Sequence, residues 1–149
     1  MKTLIKLFLR LFLLILTLFL VSLFSILGFT ISAFYYIFSL KWKTGIQALS
    51  NYIYQICLSL DQLGNVTCQN IFNITLVKRK EKYHPFGDED DTISYCIAMN
   101  NKNNTLSNHG KFWASFLNIV DPSEGGHLYK TLIMKIKRDN EACIRVNNP

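Results

Sequence analysis

The side chains of this sequence that could take part in chemistry are carboxylates, one amide, one hydroxyl and one imidazole: Asp61, Asn65, Asp90, Asp91, Ser94, Asp121 and His127. Asp61 and Asn65 would lie one turn apart on the same face of a helix. If the other side chains converge beside them, they form an oxygen-rich site with one imidazole. Such a site suits a divalent metal ion or acid–base hydrolysis. The set supports the hypothesis of a catalytic site, and only under that hypothesis is a divalent metal ion the expected cofactor.

The same side chains also fit purely structural roles. Asp61 could bond a neighbouring backbone group, and Asn65 could cap the first amphipathic helix, because short polar side chains compete for backbone partners at helix ends. Helix ends and turns could equally use Asp90, Ser94, Asp121 and His127. The sequence leaves the catalytic and the structural interpretations open.

Other sites are less well supported by the motifs. The sequence has no nucleotide-binding glycine motif, no nucleophile elbow and no H-E-x-x-H. Its histidines are scattered and no C-x-x-C is present, so it matches no zinc pattern. Cys57, Cys68, Cys96 and Cys143 could form two disulfides, with three possible pairings, if the domain is exported. In a reduced compartment they would be ordinary thiols.

The element that precedes these residues is a long apolar segment. Residues 11–40 contain no charged side chain, whereas about twenty apolar residues suffice for a helix to cross a bilayer. This length exceeds the core of a signal peptide, so we predict a single uncleaved transmembrane helix. A helix this long would project beyond the hydrocarbon, where Tyr35, Tyr36 and Trp42 would suit the interface.

The charges flanking this segment favour one orientation. Lys2, Lys6 and Arg10 precede it together with the amino terminus, and Lys41 and Lys43 follow it. Since the more basic flank stays in the cytosol, we predict a cytosolic N-terminus.

The rest of the chain has the patterns of a small helical domain. Apolar spacing predicts helices over 44–63, 92–99, 105–121 and 127–138, and we favour a helix over 65–77. The third of these helices would carry one apolar stripe, formed by Phe112, Trp113, Phe116, Leu117 and Val120, and Lys135 would lie outside the apolar face of the last. Thr44 is expected to cap the first helix, and Gly64-Asn65 to break it or to form a tight contact. Residues 81–91 predict an irregular loop and 100–104 a polar break. We predict an all-α fold, with an anchor over 1–43 and a helical domain over 44–149.

The charge balance limits the partners. The chain has 16 Lys and Arg against 10 Asp and Glu, a net charge of +6. Thirteen of the basic residues and all the acidic ones follow the apolar segment, so that part carries only about +3, which argues against a nucleic-acid surface. The expected partners are the lipid bilayer and a membrane protein or a second copy of the chain.

Short motifs in the domain give a resemblance. They are D-Q-L-G-N over 61–65, F-G-x-x-D-D-T-I-S over 86–94, then Asp121 and a histidine near the C-terminus. Over about residues 55–130 the chain resembles a family of small proteins from tailed phages and prophages, which read D-Q-L-x-N, G-x-x-D-E-T-[IL]-S, then D and H-C. Asp91 replaces the usual Glu, and His127 is followed by Leu128 instead of Cys. The resemblance implies a phage or prophage origin but no activity.

Three functions follow as hypotheses. The favoured one is a non-enzymatic membrane-anchored accessory protein that acts at the host envelope through a partner. The second is a membrane-tethered hydrolase or metal-binding enzyme that uses the polar set. The third is a lysis-related pore former, since small residues in the span would permit close helix contact, namely Ser22, Ser25, Gly28 and Ser32.

Overall fold

The computed structural model describes residues 2–38, 41–78, 81–121 and 125–147, without the side chains of 141–147. It confirms the all-α prediction, since the described part has six helices and no strands. These are α1 (Lys2–Phe38), α2 (Trp42–Thr67), α3 (Gln69–Thr75), α4 (Ile93–Lys102), α5 (Asn108–Val120) and α6 (Gly126–Asn147). The end of the apolar segment, Pro122 and the side chain of Cys143 lie outside the described residues.

The chain divides into two compact units, Met1–Gln55 and Ile56–Pro149. In the first unit α1 has 37 residues. An 18-residue window within it has a mean hydropathy of 2.7, and none of that window is buried. At 1.5 Å per residue α1 is about 55 Å long, more than a hydrocarbon core of about 30 Å requires. It is therefore long and apolar enough to cross a membrane. Near its end, Phe29 and Tyr36 pack against Tyr52 of α2, with ring centroids 6.3 and 5.9 Å apart.

The boundaries of α2 differ from the prediction. The helix begins at Trp42, so Thr44 lies inside its first turn and is not its N-cap, and it continues to Thr67 through Gly64 and Asn65. An added Cβ on Gly64 would lie 2.9 Å from Ile93 Cδ1. Of the two predicted alternatives for Gly64, the close helix contact is therefore confirmed and the break is wrong. The division between the units also falls inside α2, later than residue 43.

The second unit is built from α4, α5 and α6, which pack against one another. Its core consists of Leu76, Val77, Phe86, Cys96, Ile97, Ala98, Leu106, Ala114 and Leu128. The helix favoured for 65–77 forms only as far as Thr75. Val77 instead makes an antiparallel bridge with Leu106. Because this bridge uses the backbone of 105–107, α5 begins at Asn108 and not at Thr105.

Side-chain caps set the starts of α4 and α5. Thr92 accepts a hydrogen bond from the Tyr95 N–H, and Ser107 accepts one from the Gly110 N–H. The predicted start of the 92–99 helix is thus correct. The predicted break at Asn100 is wrong, because α4 continues to Lys102 and the chain turns only at Asn104, where φ is +56°.

Candidate functional site

The N-terminus of α4 brings Asp61 and Ser94 together. Asp61 Oδ1 accepts the Ile93 N–H at 3.2 Å, and its Oδ2 accepts the Ser94 hydroxyl at 3.0 Å. A carboxylate at this position satisfies an unpaired amide and interacts favourably with the helix dipole. Asp61 of α2 therefore acts together with the Thr92 cap to fix the start of α4.

Asn65 is fully buried one turn further along α2. Its Nδ2 donates to the carbonyls of Asp88 at 2.8 Å and Asp91 at 3.0 Å. Its Oδ1 accepts the Gly87 N–H at 3.3 Å and the Cys96 thiol at 3.6 Å. These bonds use both donors and both lone pairs of the amide. Asn65 thus ties the 87–91 segment to α2 and keeps no bonding capacity for a substrate.

Two further asparagines hold the earlier part of the same loop. Asn100 Oδ1 accepts the His84 N–H at 2.9 Å, and its Nδ2 donates to the carbonyls of His84 at 2.6 Å and Cys96 at 2.8 Å. Asn73 exchanges two 2.9 Å bonds with the backbone of Phe86. Amides from α2, α3 and α4 therefore supply the partners that this irregular backbone would otherwise lack.

Asp91 lies at the centre of a buried ionic group. It is 5% exposed; its Oδ2 is 2.8 Å from His84 Nε2 and its Oδ1 is 3.0 Å from Lys135 Nζ. Burial lowers the pKa of Lys135. The hydrogen bond to Asp91 and the charge of Asp91, with a smaller contribution from Asp139, together outweigh this effect, so the pKa of Lys135 is raised above its usual value. The edge of the Tyr95 ring packs against the His84 ring with centroids 5.5 Å apart.

Cys96 lies beside this group with no exposed surface. Burial raises the pKa of its thiol to about 12, with further upward contributions from the charges of Asp91, Asp88 and Asp61. A thiol in this environment stays protonated at neutral pH and is not a nucleophile. The ligand atoms of His84, Asp91 and Cys96 nevertheless lie within 4.8 Å of one another. Cys57, Cys68 and Cys96 are all free thiols in the structure.

The remaining predicted residues are placed elsewhere. His127 Nδ1 is 3.1 Å from Asp121 Oδ2, and Lys130 Nζ is 3.3 Å from the same oxygen. Asp121 directly follows α5, and His127 and Lys130 lie in the first turns of α6. The imidazole beside Asp91 is therefore that of His84, whereas His127 pairs with Asp121. The catalytic role of the set stays a prediction.

Asp90 differs from its neighbour Asp91 in what it contributes. Its side chain is exposed, but its carbonyl accepts hydrogen bonds from Gln62, Lys135 and Arg138.

A surface depression of about 450 Å³ is lined by Gly125, Tyr129, Lys130, Ile133 and Met134. None of these five residues belongs to the predicted polar set.

Sequence reasoning missed His84, Cys96, Lys135 and Asn100 as members of the polar group. His84 lies in the predicted irregular loop over 81–91, and Lys135 lies outside the predicted apolar face of the last helix. Lys135 reaches Asp91 from a distant part of the chain, and His84 meets Asp91 through the conformation of the irregular loop that joins them. Periodicity reports neither contact. The pair His84-Pro85 was a weak signal that His84 has a fixed backbone conformation, because the residue before a proline is restricted to extended conformations.

The outer face of α5 is the largest departure from an ordinary soluble helix. We define the aromatic face as Phe112, Trp113, Phe116, Ile119 and Val120, which are 64%, 46%, 45%, 75% and 64% exposed. At 100° per residue they occupy an arc of about 120°. The Trp113 ring packs edge-to-face with its two phenylalanine neighbours, each at a centroid distance of 5.7 Å. This face is an exposed apolar patch of the kind found at interaction sites.

The side of α5 that packs inward carries small residues. Gly110 and Ala114 are buried, and an added Cβ on Gly110 would lie 2.2 Å from the carbonyl oxygen of Leu76. Small residues therefore let the helix approach the backbone after α3 closely. The predicted stripe of α5 is divided, since Leu117 packs against the core and its aromatic members remain outside.

Comparisons of the chain with protein-family models, with curated proteins and with solved structures found no match. The resemblance to tailed-phage and prophage proteins therefore stays a prediction.

Proposed function

We propose that this chain is a single-span, non-enzymatic accessory protein of a tailed phage or prophage. It acts at the host envelope by binding a membrane protein, and the binding surface is the aromatic face of α5. The observation that carries the proposal is the exposure of a contiguous group of large apolar side chains on one side of this helix.

The anchor supports the membrane part of the proposal. α1 is long and apolar enough to cross a bilayer, and the basic residues before it favour a cytosolic N-terminus. A domain tethered to a membrane meets membrane-bound partners at a high effective concentration. Such a domain can use a small binding surface.

The polar residues support a non-enzymatic role. Asp61 and Asn65 are engaged with backbone groups that would otherwise be unpaired, and Cys96 is a buried, protonated thiol. An active site needs groups whose bonding capacity is available to a substrate. Here Asn65 holds the 83–91 loop, and Asp61 holds the start of α4.

The chemistry of α5 favours a protein partner over a lipid surface. Helices that lie in the bilayer interface carry many Lys and Arg beside their apolar face, whereas α5 contains one Lys and no Arg. Three of the five basic residues of α6 are already engaged within the domain, because Lys130, Lys135 and Arg138 are bound to Asp121, Asp91 and the Asp90 carbonyl. Trp and Phe are typical binding hot spots of protein interfaces. The expected partner surface is an apolar groove that accepts an aromatic wedge.

A site-specific photocrosslinker tests this proposal. We would place the photoreactive residue at Phe116 of the full chain expressed in host cells, with Lys102 of α4 as an exposed control position. The expected result is one discrete adduct with a membrane-fraction protein from position 116 and none from position 102. The adduct should disappear when Trp113→Ser and Phe112→Ser are added, and persist when Lys111→Ser is added.

Other outcomes would contradict the proposal in distinguishable ways. Adducts with lipid mass would assign the face to the bilayer, and an adduct of two copies of the chain would favour self-association and the pore-forming alternative. Equal yields at positions 116 and 102 would show that the face has no specific occupant. An adduct that survives Trp113→Ser and Phe112→Ser would show that the aromatic side chains do not determine binding.

A further inference from the structure

We propose that His84, Asp91 and Cys96 form a binding site for a divalent transition-metal ion, best matched by Zn²⁺. The site would use His84 Nε2, Asp91 Oδ2 and Cys96 Sγ as ligands. It lies in the polar interior of the second unit and is independent of the proposed role of the aromatic face.

The donor atoms match the chemistry of zinc. Imidazole nitrogen, carboxylate oxygen and thiolate sulfur are its three usual protein ligands, at about 2.0–2.3 Å from the ion. Around a tetrahedral ion such atoms lie roughly 3.3–3.8 Å apart. In this structure one ligand atom from each of the three residues lies within 4.8 Å of the other two, and His84 Nε2 and Asp91 Oδ2 are 2.8 Å apart. Binding therefore requires shifts of about an ångström.

Neighbouring groups already hold the ligands in place. Asn100 bonds both the His84 backbone and the Cys96 carbonyl, so one side chain fixes the spacing between two of the ligands. The Asn100 amide oxygen is itself fixed by the Thr105 hydroxyl at 2.6 Å. Lys135 occupies Asp91 Oδ1 and leaves Oδ2 directed towards His84. Outer hydrogen bonds of this kind orient metal ligands.

The charges around the thiol favour a cation. The carboxylates of Asp91, Asp88 and Asp61 all act on Cys96, and Asp91 and Cys96 are both buried. When the ion binds, the S–H bond breaks, the thiolate bonds to the metal and one proton leaves to solvent. Asn65 Oδ1 would lose the thiol as a donor but would keep the Gly87 N–H. His84, whose side chain is 27% exposed, would give water access to a fourth ligand position.

Cobalt substitution provides the test, because Co²⁺ replaces Zn²⁺ and gives a thiolate charge-transfer absorption band. The full chain is purified in detergent, treated with chelator and titrated with Co²⁺, and Zn²⁺ is then added in competition. The expected result is one Co²⁺ per chain with a charge-transfer band that Zn²⁺ abolishes. Cys96→Ala should remove the band, and His84→Ala should weaken metal affinity by about a hundredfold.

Matched variants keep the test specific. Cys57→Ala and His109→Ala change an exposed thiol and an exposed imidazole and should leave the titration unchanged. Near-ultraviolet circular dichroism shows whether Cys96→Ala and His84→Ala remain folded, and His84→Ala supplies the test if Cys96→Ala unfolds. No charge-transfer band in the wild type, or a band that survives Cys96→Ala, would overturn the proposal, as would wild-type affinity in His84→Ala.

Discussion

The 83–91 loop and the outer face of α5 distribute polar and apolar groups in opposite ways. The loop is irregular and polar, yet its own Asp91 is almost completely buried. Asn65 and Asn100, whose side chains hold the loop, are fully buried. α5 is regular and apolar, yet Phe112 is 64% exposed and Trp113 is 46% exposed. The residues that look functional in the sequence hold the fold, and residues that look like core lie on the surface.

This difference follows from how each segment satisfies its backbone. A helix bonds its own amides and carbonyls, so α5 is free to present large side chains outward and needs only small ones, such as Gly110, for close packing. An irregular loop must obtain partners from other elements. Here the buried amides of Asn65, Asn73 and Asn100 provide them.

The largest expected effect on stability is that of removing the Asn65 amide. Asn65→Ala leaves two carbonyls, one backbone N–H and one thiol without their partner in a buried site. We expect a loss of about 3 kcal/mol or more in the free energy of unfolding. Urea unfolding of the full chain in detergent, followed by near-ultraviolet circular dichroism, measures it. Asn101→Ala, an exposed change in α4, should stay within about 0.5 kcal/mol of wild type. A loss below about 1 kcal/mol for Asn65→Ala would show that the loop is held by other contacts.

The inner side of α5 should be nearly as sensitive. Gly110→Ala would place a Cβ 2.2 Å from the Leu76 carbonyl oxygen, and backbone atoms must move to relieve the overlap. We expect destabilisation of about 2 kcal/mol, measured by the same unfolding experiment. Ser115→Ala, on the exposed side, is the matched control. If the two variants are equally stable, the packing side of α5 has been assigned incorrectly.

Alkaline pH tests the burial of Cys96. Its pKa is raised from 9.0 to about 12 in the folded state, so between these values the unfolded chain has lost the proton and the folded chain keeps it. The contribution of the thiol to stability is therefore complete below about pH 9 and declines as pH rises towards 12. In chelator-treated protein, the stability of wild type relative to Cys96→Ala should fall by about 1.4 kcal/mol between pH 8 and pH 10. A constant difference would contradict the raised pKa.

The aromatic face should give the smallest change in stability. Trp113→Ser combined with Phe116→Ser removes exposed side chains that are not part of the core, so we expect a change of about 1 kcal/mol or less. Leu128→Ala, which truncates a buried residue, should cost about 3 kcal/mol under the same conditions. A loss for the aromatic double variant that equals the Leu128→Ala loss would place these aromatics in the folding core.

Much of the architecture could be predicted from the sequence. The apolar segment, the all-α class, the irregular loop and the start of α4 depend on local composition, periodicity and capping residues such as Thr92. The sequence left open whether Gly64 breaks α2 or permits a close contact, because the partner in that contact, Ile93, is distant in the sequence. The start of α5 was misplaced for a similar reason, since Thr105 and Ser107 are used in the bridge to residues near Val77.

The candidate sites were less predictable because they depend on long-range contacts. The sequence indicated Asp61, Ser94 and Asp91 but gave no indication that His84 and Lys135 would meet Asp91. The stripe on α5 was recognised, but periodicity alone could not decide which side of it faces the core. Packing decided this, because Gly110 and Ala114 allow the closer approach.

Cysteine labelling of the aromatic face tests the central claim most directly. Ile119→Cys and the control Lys102→Cys are placed in a chain whose Cys57, Cys68 and Cys143 are serine, and their maleimide labelling rates are compared in host membranes and in protein-free liposomes. We predict that the Lys102→Cys rate is the same in both membranes. In liposomes the Ile119→Cys rate should equal the Lys102→Cys rate. In host membranes the Ile119→Cys rate should be at least about fivefold lower than in liposomes, because the partner excludes the reagent. Equal Ile119→Cys rates in both membranes, or protection already in liposomes, would contradict a protein partner at this face.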